Sequence, residues 1–192
     1  MRWFRYNGYV KKLANNKFIF AGGPGAGKTT VLDALKARGF YCAPDVARAI
    51  IKARVDSGLS PRPEPLDFAT SIFDRDVANY QAAPSSKICF FDRSVVDALG
   101  MLHLCNSFSE GELGLNLRRY PYNRVVFLFP PWEEIYQTDD ERDQTFAESV
   151  RVFESVKSWY SRCEYRVQEV PLGTLNQRVT FIENFVATAQ TL

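Results

Sequence analysis

Apolar side chains follow two spacings along this chain. Short unbroken apolar runs at 18–21, 40–43, 88–91 and 125–129 have the length of buried strands, and 165–170, with Tyr165, Val167 and Val170, reads as a fifth strand. Between them apolar residues recur every three or four positions, the spacing of a helix packed along one face. Val31, Leu32 and Leu35 form the first such stretch, closed by Gly39. A second runs over 46–59, with Val46, Ile50 and Val55 among its apolar positions and Gly58, Ser60 and Pro61 as its stop. Pro61, Pro63 and Pro65 make a stiff connector into a longer helix over 65–83, whose apolar residues include Phe68, Ile72, Phe73, Val77 and Tyr80. Helices follow over 95–105 and around 110–120. A long one is opened by the charged run 139–143, and Phe146, Val150, Phe153, Val156, Tyr160 and Cys163 step along one face of it. Leu175, Val179, Ile182 and Val186 line a closing helix. Strands alternating with helices predict an α/β fold, a five-stranded parallel sheet with helices on both faces and right-handed crossovers. No repeat or linker divides residues 17–192, which read as one domain. Residues 1–16 stand apart as an N-terminal extension.

The first strand runs into Gly22, Gly23, Pro24, Gly25, Ala26, Gly27, Lys28, Thr29 and Thr30, which fits G-x-x-x-x-G-K-[ST]. The strand before it and the helix after it are the context that this motif requires. Its glycines let the backbone curl until successive N–H groups converge on phosphate oxygens, and the helix N-terminus adds its positive dipole end. Lys28 can reach the β- and γ-phosphates, and the Thr29 hydroxyl can ligand Mg²⁺.

Bulk composition narrows the setting. The chain has 192 residues, 46% of them hydrophobic and 24% charged, a globular balance with enough apolar material for a substantial core. Its net charge of +2 argues against broad nucleic-acid coating. No apolar run approaches the ~18–20 residues of a membrane span. Cys42, Cys89, Cys105 and Cys163 show no metal-ligand spacing, which fits a reduced, cytoplasmic protein. Residues 1–16 mix Trp3, Phe4 and Tyr6 with Arg2, Arg5, Lys11 and Lys12 and lack the apolar core of a signal peptide. They read as a surface-packed extension, with a weak membrane-surface or partner contact as the functional alternative.

In a parallel sheet ligands gather beyond the carboxyl ends of the strands, and the chemistry-bearing residues fall there. The third strand ends in Asp92, Arg93 and Ser94, the form of a Walker B strand whose carboxylate can hold Mg²⁺. Asp92 or Ser94 can equally cap the next helix. Asp45 ends the second strand, and Arg48 follows it by three residues. Arg54, Arg62 and Arg75 read as solvated, and Phe68 and Phe73 as core. His103, Trp132 and Trp159 read as structural or packing residues.

Together the Gly22–Thr30 loop, Asp92-Arg93-Ser94, the Arg-bearing helix opened near Asp140 and the Val170-Pro171 turn resemble P-loop kinases of the nucleoside and thymidylate kinase class. Within that class the chain is most similar to the NadR-like predicted ATPases (AAA-type), whose kinase members phosphorylate ribosylnicotinamide. Those proteins carry Glu-x-x-Arg after the second strand, where this chain has Asp45-Val46-Ala47-Arg48. The shorter Asp45 departs from that pattern. The resemblance implies an acceptor near Asp45, Arg48 and Arg93, and a lid helix whose Arg142 closes over the transferring phosphates.

The resulting expectation is a cytoplasmic enzyme, a kinase transferring the γ-phosphate of Mg-ATP to a small nucleoside- or nucleotide-like acceptor. GTP remains open as donor, because no motif reads the base. Lys28, Arg93 and Arg142 would neutralise phosphate charge, Thr29 and Asp92 would hold the metal, and Asp45 would serve the acceptor as ligand or general base. The alternative is a nucleotide-dependent regulatory or binding module with slow hydrolysis. A Ras-type GTPase is disfavoured by the lack of Asn-Lys-x-Asp, an ABC ATPase by the lack of Leu-Ser-Gly-Gly-Gln, and an AAA+ motor by the absence of room for a helical lid domain.

Overall fold

A computed structural model describes residues 16–136 and 145–190. Five parallel strands form one sheet in the order β2-β3-β1-β4-β5: β1 Lys17–Gly22, β2 Tyr41–Ala43, β3 Cys89–Asp92, β4 Val125–Phe129 and β5 Arg166–Glu169. Seven helices accompany them among the described residues: α1 Lys28–Ala37, α2 Val46–Asp56, α3 Pro65–Ala82, α4 Val95–Leu104, α5 Glu110–Arg119, α6 Phe146–Arg162 and α7 Leu175–Gln190. A single 3₁₀ turn, Glu133–Ile135, follows β4. The extension at 1–15 and the segment 137–144, with Arg142, lie outside the described residues.

Strand alternation builds two cores from one sheet. Phe18, Phe20, Phe90, Phe127 and Phe129 face one side and pack on Val31, Leu35, Val179 and Ile182 of α1 and α7. Ile19, Ala21, Phe91, Val126 and Leu128 face the other and pack on Val95, Leu99, Phe153 and Tyr160 of α4 and α6. Both faces are buried, so the strands read as continuous apolar runs rather than as alternating ones. The phenylalanines interlock at the centre, with Phe20 and Phe129 rings 4.9 Å apart. Burying each such side chain contributes about 1.5–3 kcal/mol. Val46, Ile50, Phe68 and Ile72 join Ala98 in a third, smaller cluster that seats α2 and α3 beside the sheet. The two edges differ from this interior: β2 has only three residues, and Arg166 and Glu169 of β5 are exposed.

Helix starts follow their side chains. Asp45 caps α2, Ser94 caps α4, and Ser109–Glu112 and Thr145–Glu148 form capping boxes on α5 and α6. The Thr145 cap starts α6 at Phe146, several residues later than the charged run at 139–143 suggests, because a reciprocal cap outweighs a cluster of acids as a start signal.

Gly22 joins the sheet to the loop after it. Its φ of 130° lies outside the range of other residues, and a Cβ there would stand 2.4 Å from the Phe129 carbonyl oxygen. Gly22→Ala should therefore push β1 off β4. An expected loss of at least about 2 kcal/mol, from backbone strain plus overpacking, can be measured by denaturant unfolding.

Candidate active site

All five strands run the same way, so their carboxyl ends share one edge of the sheet. A cavity of about 1350 Å³ opens there. One part of its wall is the loop Pro24, Gly25, Ala26, Gly27, Lys28, Thr29 and Thr30, with Trp132, Ile135, Thr174 and Arg178 beside it. Another part comes from α2, α3, α4 and α6, through Arg48, Ile51, Phe68, Ile72, Met101, Val156 and Trp159. Asp45, Asp92, Arg93 and Asp97 also line it. Gly22 and Gly23 are buried beneath the loop and offer their carbonyl oxygens to the Lys28 ammonium, at 3.4 and 2.8 Å. Burial lowers Lys28 to about 8, against the pull of the Asp92 carboxylate, so the amine remains mostly charged at neutral pH.

Asp92 is 2% exposed. Its Oδ2 accepts the Thr29 hydroxyl at 3.2 Å, and its Oδ1 has no hydrogen-bond partner. Burial raises its pKa, opposed by Lys28. A carboxylate with an uncommitted oxygen beside a hydroxyl suits Mg²⁺, which binds through one or two protein oxygens and takes water and phosphate oxygens for the rest. Among the described residues no group of three or more His, Cys, Asp or Glu could hold a metal by itself. Ser94, rather than Asp92, caps α4, which leaves Asp92 to face Thr29.

Arg93 is the point where the strand ends converge. Its amide donates to the Phe20 carbonyl at 2.9 Å, and its backbone then turns left-handed, with φ 67°. That turn sends the guanidinium back over the sheet edge. Nη2 donates to the Gly22 carbonyl at 3.2 Å, Nη1 pairs with Asp97 at 3.5 Å, and Nε lies 3.8 Å from Asp45 Oδ2. Burial opposes the charge, and Asp97, Asp45 and Asp92 more than restore it. Asp45 divides its oxygens: Oδ1 accepts the Ala47 and Arg48 amides at 2.9 and 3.4 Å, and Oδ2 faces Arg93.

A family model for the AAA domain matches residues 17–178. The chain belongs to this family. No curated protein matches this AAA-domain chain in sequence. Solved structures do match it in fold. A thymidylate kinase from Candida albicans superposes with a TM-score of 0.62 at 14% identity, covering 91% of this chain and 92% of that one. A deoxyadenosine kinase from M. mycoides gives 0.60 at 10% identity, covering 90% and 99%. NadR protein in complex with NR gives 0.65 at 17% identity, covering 93% of this chain and 52% of that chain, so this chain spans about half of it. The AAA-domain protein is thus a P-loop NTPase with the fold of nucleoside and nucleotide kinases. Among its described residues no helix is long and apolar enough to cross a membrane.

The site also contains residues that sequence reasoning passed over. Asp97, one helical turn beyond Arg93, accepts the Tyr160 hydroxyl at 2.5 Å and the Ser94 hydroxyl at 3.1 Å, which ties α6 to Arg93. Trp159 donates to the Val96 carbonyl at 2.7 Å, and His103 stacks on it at 5.2 Å. Both line the cavity, as do Trp132 and Arg62. Arg178 lies against Gly27. Arg48 reaches the cavity beside Asp45, and Arg151 points outward, its side chain 71% exposed.

Asp76 of α3 is 3% exposed, and its Oδ2 has no partner. Burial, followed by repulsion from Asp97 and Asp45, raises it to about 8. The native state therefore holds a proton that the unfolded chain releases near the ordinary carboxylate pKa. This term favours folding fully below that value and fades as pH rises toward 8. Asp76→Asn removes it. The stability advantage of the variant should grow between pH 4 and 8 by at most about 1.4 kcal/mol per pH unit and level off above. Urea unfolding across that range checks this, and parallel curves for the two proteins would exclude a buried titrating Asp76.

Proposed function

We propose that this protein is a small-molecule kinase that transfers the γ-phosphate of Mg-ATP to a hydroxyl of a nucleoside- or nucleotide-like acceptor. The observation that carries the reading is the continuity of the cavity from the phosphate loop to the wall of α2, α3 and α4, with Asp45 and Arg93 both lining it. A nucleotide switch needs only the loop end, and the open space beside Asp45 supports an acceptor.

Phosphoryl transfer asks the protein mainly for position and charge neutralisation. The loop amides of residues 24–30 would cradle the phosphates, and Lys28 would turn from the Gly22 and Gly23 carbonyls toward them. Thr29 and Asp92 would hold Mg²⁺, which when bound neutralises phosphate oxygens. Arg93, fixed by Gly22 and Asp97, would bear on the transferred group from the acceptor side. Asp45 keeps one oxygen on the α2 cap and would use the other to orient the acceptor hydroxyl or take its proton. Arg48 would contact the acceptor, and Arg142 would close over the phosphates from the segment after β4. The kinase fold of thymidylate kinase and deoxyadenosine kinase supports this division of the cavity. Its solution setting is proposed to be the cytoplasm.

A phosphate-transfer assay with Mg-ATP or Mg-GTP, run against a panel of nucleosides, nucleotides and vitamins, tests the reading. Turnover should rise with one acceptor class, and slow hydrolysis indifferent to every acceptor would favour the regulatory alternative. Wild type should gain melting temperature with millimolar Mg-nucleotide, since ligand at 100 times its Kd stabilises by about 2.7 kcal/mol, and Lys28→Ala should lose most of that gain. Asp92→Asn should weaken the Mg²⁺ dependence. Asp45→Asn should keep nucleotide affinity within a few fold and abolish transfer, and equal loss of nucleotide binding in both variants would refute this division between the two carboxylates.

A further inference from the structure

Lys28 and Asp92, with Arg93, Asp45 and Asp97 beside them, form an opposed set of charges, and Arg178 stands outside it. It lies on α7 in the apolar stripe of Val179 and Ile182 and is 3% exposed. Its guanidinium is flanked by the Phe129 ring at 4.9 Å and the Trp132 ring at 5.6 Å. Nη2 donates to the Ala26 carbonyl at 2.9 Å, and the buried Nε has no hydrogen-bond partner. Nη1 stands 2.7 Å from where a Cβ on Gly27 would sit, so this glycine is what lets the cation approach the loop. No ion pair joins Arg178 to a carboxylate among the described residues. Burial lowers its pKa, and among the described residues no acid offsets that shift.

A buried cation without a counter-ion is costly, and here the cost falls one residue from Lys28, against the loop that receives phosphate. Arg178 also lines the cavity itself. We propose that Arg178 is a positioning residue for the nucleotide: it pins the phosphate loop through the Ala26 carbonyl and supplies a buried positive charge that finds its counter-ion in the bound polyphosphate. The inference rests on the loop binding a nucleoside triphosphate, as proposed above. It adds a fourth cation, after Lys28, Arg93 and Arg142, from an element far away in sequence from the loop. Because charge acts on the phosphates rather than on the base, inorganic tripolyphosphate is as good a probe as ATP.

Three variants separate charge from hydrogen bonding. Arg178→Lys keeps the charge, Arg178→Gln keeps a donor for Ala26 without charge, and Arg178→Met keeps neither. Titration calorimetry with Mg-ATP and with Mg-tripolyphosphate should show Lys within about threefold of wild type. Gln and Met should each bind about tenfold or more weaker for both ligands, with a smaller dependence on salt. Their ligand-free melting temperatures should stay within a few degrees of wild type or rise, since an uncompensated charge has been removed. Gln binding like wild type overturns the proposal. So does weakened ATP binding with tripolyphosphate unchanged, which would make Arg178 a base contact. Should Met melt below the assay temperature, the Lys–Gln comparison decides alone. If wild type itself binds neither ligand, nucleotide binding fails first and this inference falls with it. If wild type binds and the variants do not differ, only this inference falls.

Discussion

The left-handed backbone at Arg93 is the constraint on which the site depends. A non-glycine residue in that conformation carries strain of about 1–3 kcal/mol, and several contacts hold it there. Its amide completes the β3–β1 ladder at Phe20, its guanidinium holds the Gly22 carbonyl, and Asp97 and Asp45 neutralise it. Remove the turn and α4 would leave the sheet in another direction. The conformation thereby fixes both the entrance to the phosphate loop and the start of the helix that carries Asp97, Gly100 and Met101 along the cavity wall.

Around Arg93 the charges form a set that only makes sense together. Lys28 and Arg93 face Asp45, Asp92 and Asp97, and burial disfavours the charged form of Lys28, Arg93, Asp92 and Asp97. Buried ion pairs of this kind contribute little net stability, because desolvation offsets their attraction. Their value lies in geometry. Tyr160 of α6 donates to Asp97, which pairs with the Arg93 that holds the Gly22 carbonyl, so α6 is tied through Asp97 to the loop entrance.

Sequence periodicity revealed most of this fold and part of the site. Four strands lay open as unbroken apolar runs because helices cover both faces of the sheet, whereas β5, at the edge, is broken by Arg166, Gln168 and Glu169. The phosphate loop was legible because its chemistry is local, with every part within nine residues. Asp97, Asp76 and Arg178 were not. Each lies on the inward face of a helix, beside Leu99, Ile72 or Val179, and a charge on an apolar stripe reads as an interruption until the tertiary fold brings its partner near. Asp97 is four residues from Arg93, a spacing that a search for helical ion pairs finds. Arg178 meets Ala26 across 152 residues, and no local pattern encodes that. His103 and Trp159 gave the reverse case: their positions fit packing, and they pack, but they do so on the cavity wall.

The exposed rims of the sheet bear on the molecule's behaviour in concentrated solution. An all-parallel sheet leaves an unpaired row of backbone donors and acceptors along each outer strand, and a flat apolar rim of that kind templates the addition of strands from other molecules. Here one rim is a three-residue strand, too short to guide much pairing. On the other, the exposed Arg166 and the exposed Glu169, which reaches Lys157 at 2.7 Å, bracket Val167 and Gln168. An incoming chain would have to strip water from these charges along a very short template. The fold thus carries, on its two outer strands, its own protection against edge-to-edge aggregation.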